Sequence, residues 1–226
     1  MTNKGKFIVI EGIDSSGKGT QFRLLKKRLK EEGREVLTLD FPRYYTSPWG
    51  KMVGEFLIGK YGKFEKVDPH LAVLPYMIDE YTWARDEGRP WLEKGGMVLL
   101  DRYFTSNVHQ VAKLKTIAKK NYRDWLWKMG YDEFGILRPD LVVFVDVSPK
   151  ITKKLIKQKK QRAYLEGKKK DGAERNWQHQ WAAYREYKYI VANERTWKAV
   201  CCTTKGELDS PEVIHDRVWK TVLKII

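Results

Sequence analysis

Residues Lys6 to Gln21 read KFIVIEGIDSSGKGTQ, and this stretch decides the fold. Phe7, Ile8, Val9 and Ile10 form a short unbroken apolar run, the pattern of a parallel strand buried on both faces, before Glu11 and Gly12. Gly12, four further residues, Gly17 and Lys18 have the spacing of a phosphate-binding loop. Glycine there lets successive N–H groups turn inward around phosphate oxygens while the lysine reaches the outer phosphates. A helix from Lys18 to about Leu29 points its positive N-terminus at the same anion. The nucleotide-phosphate contacts expected are therefore Gly12, Ser15, Ser16, Gly17, Lys18, Gly19 and Thr20. Gly19 stands where a metal-binding hydroxyl usually follows the lysine, and Thr20 is the nearest hydroxyl. The competing reading is a glycine-rich strand-to-helix turn without a ligand.

With 226 residues, 42% of them hydrophobic, the chain can bury a full core. No apolar run approaches the ~20 residues of a membrane span, and the first strand begins too early to leave room for a signal peptide, so a cytosolic protein is expected. Cys201 and Cys202 are adjacent in an apparent strand, where alternation sends them to opposite faces; this argues against a disulfide framework or a metal site. A net charge of +15, from 44 Lys and Arg against 29 Asp and Glu, favours anionic partners. No zinc-finger spacing, RNA-recognition signature or basic heptad accompanies that charge, so nucleic acid is not the expected partner.

Beyond the first helix, EVLTLD (Glu35 to Asp40) reads as a second strand that opens onto Phe41-Pro42-Arg43-Tyr44. Pro42 favours an extended or turning path and holds Arg43 beyond a strand's carboxyl end, where open parallel sheets bind ligands. Ser47-Pro48 and Asp68-Pro69 are helix starts. The second helix carries Leu71, Leu74, Ile78, Tyr81 and Ala84 on one face, with a bend expected at Pro75. Strand Met97 to Leu100 delivers Asp101-Arg102-Tyr103 to the edge that carries the phosphate loop. A carboxylate there is placed to hold magnesium through water, and the arginine to clamp a phosphoryl group. Phe104 to Leu114 reads as helix, and Lys119 to Gly130 as a peripheral amphipathic element. Leu141 to Val147 is the clearest strand. From Lys150 to Arg175 lysine and arginine crowd the chain, as in a solvated loop or a mobile lid whose cations close over phosphates. A helix from about Asn176 to Arg195, a strand from Lys198 to Thr203 and a C-terminal helix bearing Val213, Ile214, Val218 and Leu223 complete an α/β order with helices on both faces of one sheet.

Together, IEGIDSSGKGTQ, FPRY, DRYFTSN and RPDLVVFVDVSP resemble the thymidylate kinase family of P-loop nucleoside monophosphate kinases nearly end to end. The resemblance implies a three-layer fold with a five-stranded parallel sheet, residues 1–226 as one kinase domain with a mobile basic lid at about 150–175, and ATP with Mg2+. It also implies phosphoryl transfer to dTMP and a homodimer. Carried over position by position, Lys18 belongs to the ATP cradle and Asp14 to the loop carboxylate near the acceptor and metal. Arg43 and Arg102 hold the acceptor phosphate, Asp101 the metal, Tyr76 stacks on the base, and Gln110 is a polar acceptor contact. Ser15 replaces a basic residue found in some relatives, which points to a lid arginine, Arg162 or Arg175, as catalytic. Glu80 occupies the place of the family's arginine that donates to thymine, and a carboxylate has no proton to give to O4. Arg85 or another donor is then needed, or the base is read differently. The alternatives are a kinase for another nucleoside monophosphate or a deoxynucleoside, and a non-catalytic nucleotide-binding or nucleic-acid-binding P-loop protein.

Overall fold

The computed structural model describes residues 5–156 and 176–226. Five strands, β1 (Lys6–Glu11), β2 (Val36–Asp40), β3 (Met97–Asp101), β4 (Leu141–Asp146) and β5 (Trp197–Cys201), make one parallel sheet in the order β2-β3-β1-β4-β5. Each has an unbroken apolar stretch or alternation suited to a sheet covered on both faces. On β1, Phe7 and Val9 enter one core with Trp83, Tyr103 and Tyr187, while Ile8 and Ile10 enter the other with Leu25, Leu29 and Val218. Period-two alternation accounts for this division, and two apolar layers explain why the run is continuous. The second core is closed by α1 (Lys18–Glu31) and the C-terminal helix.

Helix α2 (Pro48–Leu57) is capped by the Ser47 hydroxyl and α3 (Pro69–Trp83) by the Asp68 carboxylate, each with proline in the first turn, as the sequence implies. The buried face of α3 is not the expected one. Ala72, Val73, Met77 and Trp83 are buried, whereas Leu71 is 65% exposed. The reason is that Asp79 and Glu80, two polar residues with a place in the site, occupy interior positions that hydrophobicity alone assigns to solvent. Helix α3 also continues through Pro75, which leaves the carbonyl of exposed Leu71 without its intrahelical donor. A π-helical turn, Ala84–Gly88, then inserts its wider ring before α4 (Arg89–Glu93). A Cβ on Gly88 would lie 2.7 Å from the Trp83 ring, so glycine lets this turn close over the core.

After β3 the chain forms a 3-10 turn, Phe104–Asn107, and the short α5 (Val108–Val111), in place of one helix to Leu114. Helix α6 (Thr116–Trp127) and a second π turn, Lys128–Glu133, form the amphipathic segment, with Trp127 packed on Phe104. Residues Pro149–Ile156 form α7, Trp177–Asn193 α8 and Pro211–Val222 α9. Helix α9 buries Ile214, Val218 and Val222; Val213 and Leu223 face solvent, one helical position away from the inner stripe. Cys201 is exposed and Cys202 buried, in keeping with alternation. Of the basic segment, 150–156 belongs to α7, and the rest, with Arg162 and Arg175, lies outside the described residues. Among the described residues no helix is long and apolar enough to cross a membrane.

Candidate active site

Parallel pairing brings the carboxyl ends of β1, β2 and β3 to one edge, with Ile10 opposite Asp101 and Asp40 opposite Asp101 on the other side. The loop after β1 turns there through left-handed conformations at Ser15 (φ 60°) and Gly17 (φ 87°), the second at a residue with no Cβ penalty. A Cβ on Gly12 would lie 2.5 Å from the Ser16 Oγ and 3.2 Å from the Val145 carbonyl oxygen, so a side chain there would displace the serine hydroxyl. The Ser16 N–H donates to the Ile13 carbonyl at 3.3 Å, and the buried Lys18 ammonium donates to the same oxygen at 3.4 Å. The hydroxyls of Ser15 and Ser16 are buried and have no hydrogen-bond partner among the described residues. This is a cradle of donors at a helix N-terminus, suited to an anion.

Asp101 ends β3 beside this cradle. Its Oδ1 is buried and has no hydrogen-bond partner among the described residues, and a Cβ on Gly19 would stand 3.2 Å from its Oδ2. Glycine after the lysine therefore makes room for the carboxylate against the first turn of α1. Asp40 faces Asp101 across the β2–β3 pair, and burial followed by the Asp101 charge raises its carboxyl above the ordinary range. Among the described residues no group of three or more His, Cys, Asp or Glu could hold a metal ion alone. One or two carboxylates with open positions fit Mg2+, which keeps waters and binds substrate phosphates rather than an all-protein cage.

Arg102 follows in a left-handed conformation (φ 66°), its N–H donating to the Ile10 carbonyl at 3.1 Å. That backbone turn sends the guanidinium back over the end of β1. Nη2 donates to Asp14 Oδ1 at 2.6 Å and Nη1 to Ser106 Oγ at 3.4 Å. Burial alone would lower its pKa, but Asp14, Tyr187, Glu11 and Asp101 outweigh it and raise the group above its ordinary value. Gln180 of α8 holds the other Asp14 oxygen at 2.8 Å, so the Asp14–Arg102 pair is fixed from both sides.

Beneath the pair lies Glu11, fully buried. Thr105 Oγ1 donates to it at 2.6 Å, Ser106 Oγ at 2.8 Å and Tyr187 OH at 2.9 Å. Burial raises its pKa, against lowering by Arg102 and the three hydroxyls. One carboxylate thus ties β1, the segment after β3 and α8 together.

A cleft enclosing about 590 Å³, open mouth included, lies beside the loop and is lined by Asp14, Arg102, Tyr76, Glu80, Ser106 and Gln110 among others. Tyr76 and Glu80 are one helical turn apart on α3 and so share a face. His109 Nδ1 and His179 Nε2 lie 3.3 Å apart nearby. Burial lowers His109 well below its usual pKa and His179 to about 4, which keeps both rings neutral at pH 7.

The structure therefore brings Asp14, Tyr76, Glu80, Arg102 and Gln110 to one cleft and sets the phosphate loop and Asp101 beside it. Arg43 is not in the cleft wall. Following the cis Phe41–Pro42 peptide, it is bound by α3: Nε to Asp79 Oδ1 at 3.0 Å, and Nη2 to the Asp79 carbonyl at 2.8 Å and to Thr82 Oγ1 at 2.7 Å. Arg85, the alternative donor to a base, is exposed and paired with Asp86. Sequence reasoning missed Glu11, Asp40, Asp79 and Gln180. A charged residue closing an all-apolar strand was the one available signal, for Glu11; nothing local distinguishes Gln180, whose partner is 166 residues away.

A family profile described as thymidylate kinase matches residues 10–203. Thymidylate kinase of Plasmodium falciparum is 31% identical over 225 residues, covering 98% of this chain and 91% of that protein. Thymidylate kinase of Thermomicrobium roseum is 28% identical over 225 residues, covering 97% and 95%. The solved structure of thymidylate kinase from Candida albicans superposes with a TM-score of 0.74 at 21% identity, covering 98% of this chain and 92% of that one, a likeness of fold.

Proposed function

The chain belongs to the thymidylate kinase family and transfers a phosphoryl group from ATP, with Mg2+, to dTMP; from this we propose that the cleft lined by Tyr76, Glu80 and Gln110 holds dTMP and the Gly12–Thr20 loop holds the ATP phosphates. The single observation that carries this assignment is that Asp14 belongs to both: it lies in the phosphate loop and lines the cleft, where Arg102 binds it at 2.6 Å. An acceptor phosphate in the cleft would therefore meet the donor phosphates across one arginine.

A phosphate oxygen is already anionic near neutral pH, so the acceptor needs no strong base. It needs the two phosphate groups held in line with their repulsion suppressed. Arg102, positioned by Asp14 and Ser106, clamps the acceptor phosphate; Lys18 and the first turn of α1 bind the donor phosphates. Arg43, anchored by Asp79 and Thr82 outside the cleft wall, fixes the turn after β2 against α3. Asp101 would hold Mg2+, with Asp14 near it and Thr20 as the nearest hydroxyl of α1; the ion supplies charge neutralisation between the phosphates. The chain acts as one catalytic domain, is cytoplasmic and forms a homodimer.

The cleft assignment is tested by Tyr76→Ala. Loss of an aromatic face under the base should raise the KM for dTMP by about tenfold or more while leaving the KM for ATP within about twofold. A rise in the ATP KM with an unchanged dTMP KM would reassign the cleft to the donor.

A further inference from the structure

Glu80 is 2% exposed, lines the cleft one turn beyond Tyr76, and its Oε2 has no hydrogen-bond partner among the described residues. Two arginines of this region are engaged elsewhere, Arg43 on Asp79 and Thr82 and Arg85 on Asp86. We propose that Glu80 reads the base of the acceptor nucleotide as a carboxylic acid, its O–H donating to thymine O4 while its carbonyl oxygen accepts the N3–H. The inference rests on the assignment of the cleft to dTMP.

An ionised carboxylate only accepts, and against O4 it sets lone pair against lone pair; a neutral carboxyl carries one donor and one acceptor side by side, the complement of the O4 and N3–H edge. The groups around Glu80 favour the neutral form. Burial raises its pKa well above the ordinary carboxylate value, and the charges of Asp79 on α3 and Glu11 on β1 push it the same way. Tyr103, after β3, and Tyr131, on the second π turn, also face it, and both phenols are themselves raised chiefly by burial and so stay neutral. Across the cleft Arg102 is committed to Asp14, and His109 is neutral. A buried acid kept protonated so that it can donate is an established use of an apolar site.

The sign of the pH dependence follows. Below the raised pKa of Glu80 both bonds to thymine form. As pH climbs through that value the proton is lost, O4 meets a carboxylate, and dTMP binding weakens. The test measures KM and kcat for dTMP from about pH 6.5 to about pH 9.5 in the wild type, Glu80→Gln and Glu80→Leu. Glutamine presents an N–H donor and a carbonyl acceptor in nearly the same shape and cannot titrate. The wild-type KM should rise by about tenfold or more where Glu80 loses its proton, while Glu80→Gln keeps a low KM with little slope over the same range. Glu80→Leu should raise the KM on the order of tenfold or more at every pH, with kcat changed much less. Thymine's own ionisation removes the N3–H bond from wild type and Glu80→Gln alike and cancels between those two. A Glu80→Gln variant with a KM as high as that of Glu80→Leu, or an unchanged KM in Glu80→Leu, would overturn the role of Glu80. Absence of wild-type turnover with dTMP at about pH 6.5 would overturn the cleft assignment itself, a separate failure visible before any variant is made.

Discussion

Arg102→Ala should lower kcat with dTMP by about 10²- to 10³-fold, the scale of removing a preorganised charge from a transferring group. The size follows from the fixation of this side chain. Its backbone sits in a left-handed conformation that re-aims it over β1, Asp14 and Ser106 hold its two nitrogens, and Gln180 holds Asp14 in turn. Such a group reaches the reaction without reorganising, which is the property that makes a charge worth most in a partly dry site. Arg102→Lys keeps the charge but loses the planar fork that bridges Asp14 and a phosphate, so it should recover only part of the activity. Steady-state kinetics on both variants, with near-ultraviolet circular dichroism to establish native packing, make the comparison. Near-normal turnover by Arg102→Ala would contradict the role.

Glu11→Ala should be the most destabilising single change in the site, at about 3 kcal/mol, which for a chain of this length is roughly a 6–12 °C fall in Tm. The substitution strands the buried hydroxyls of Thr105 and Tyr187, leaves the half-buried Ser106 hydroxyl without this acceptor, and removes the carboxyl group beneath Arg102. An unpaired buried donor costs more than a made hydrogen bond contributes, so the loss is larger than one contact suggests. Ser106 also touches Arg102, so part of the damage should reach kcat. Glu11→Gln, which retains an acceptor and the volume, should be milder in a thermal melt. A Tm within about 2 °C of wild type for Glu11→Ala would show that the network carries little stability.

These two residues also mark what the sequence could reveal. Arg102 was legible because its strand, its neighbour Asp101 and the phosphate loop all follow from local pattern: apolar runs give the strands, and parallel pairing takes their ends to one edge. The sheet and the phosphate cradle follow from the same physics. Glu11 was legible only as the end of a strand, since its function depends on hydroxyls from residues 105, 106 and 187, which no periodicity brings together. Helix α3 is the sharper case. Its outward stripe of Leu71 and Leu74 looks like a core face, while its interior carries Asp79 and Glu80. Hydrophobic patterning misreads a helix whose buried side is a binding site, because there polarity is retained for a ligand or a partner and not for water. Arg43 shows the same limit: proximity to the site was readable from FPRY, but its engagement by Asp79 required the fold.

The central claim is that this cleft accepts dTMP and that the adjoining loop delivers phosphate to it. The most direct test is ADP production from Mg-ATP by the wild-type protein with dTMP, dUMP, dCMP, dGMP, AMP and free thymidine as acceptors. The expected result is the highest kcat/KM with dTMP, with dTDP as the product. Preference for a purine nucleotide or for free thymidine, or no ADP release with dTMP, would contradict it.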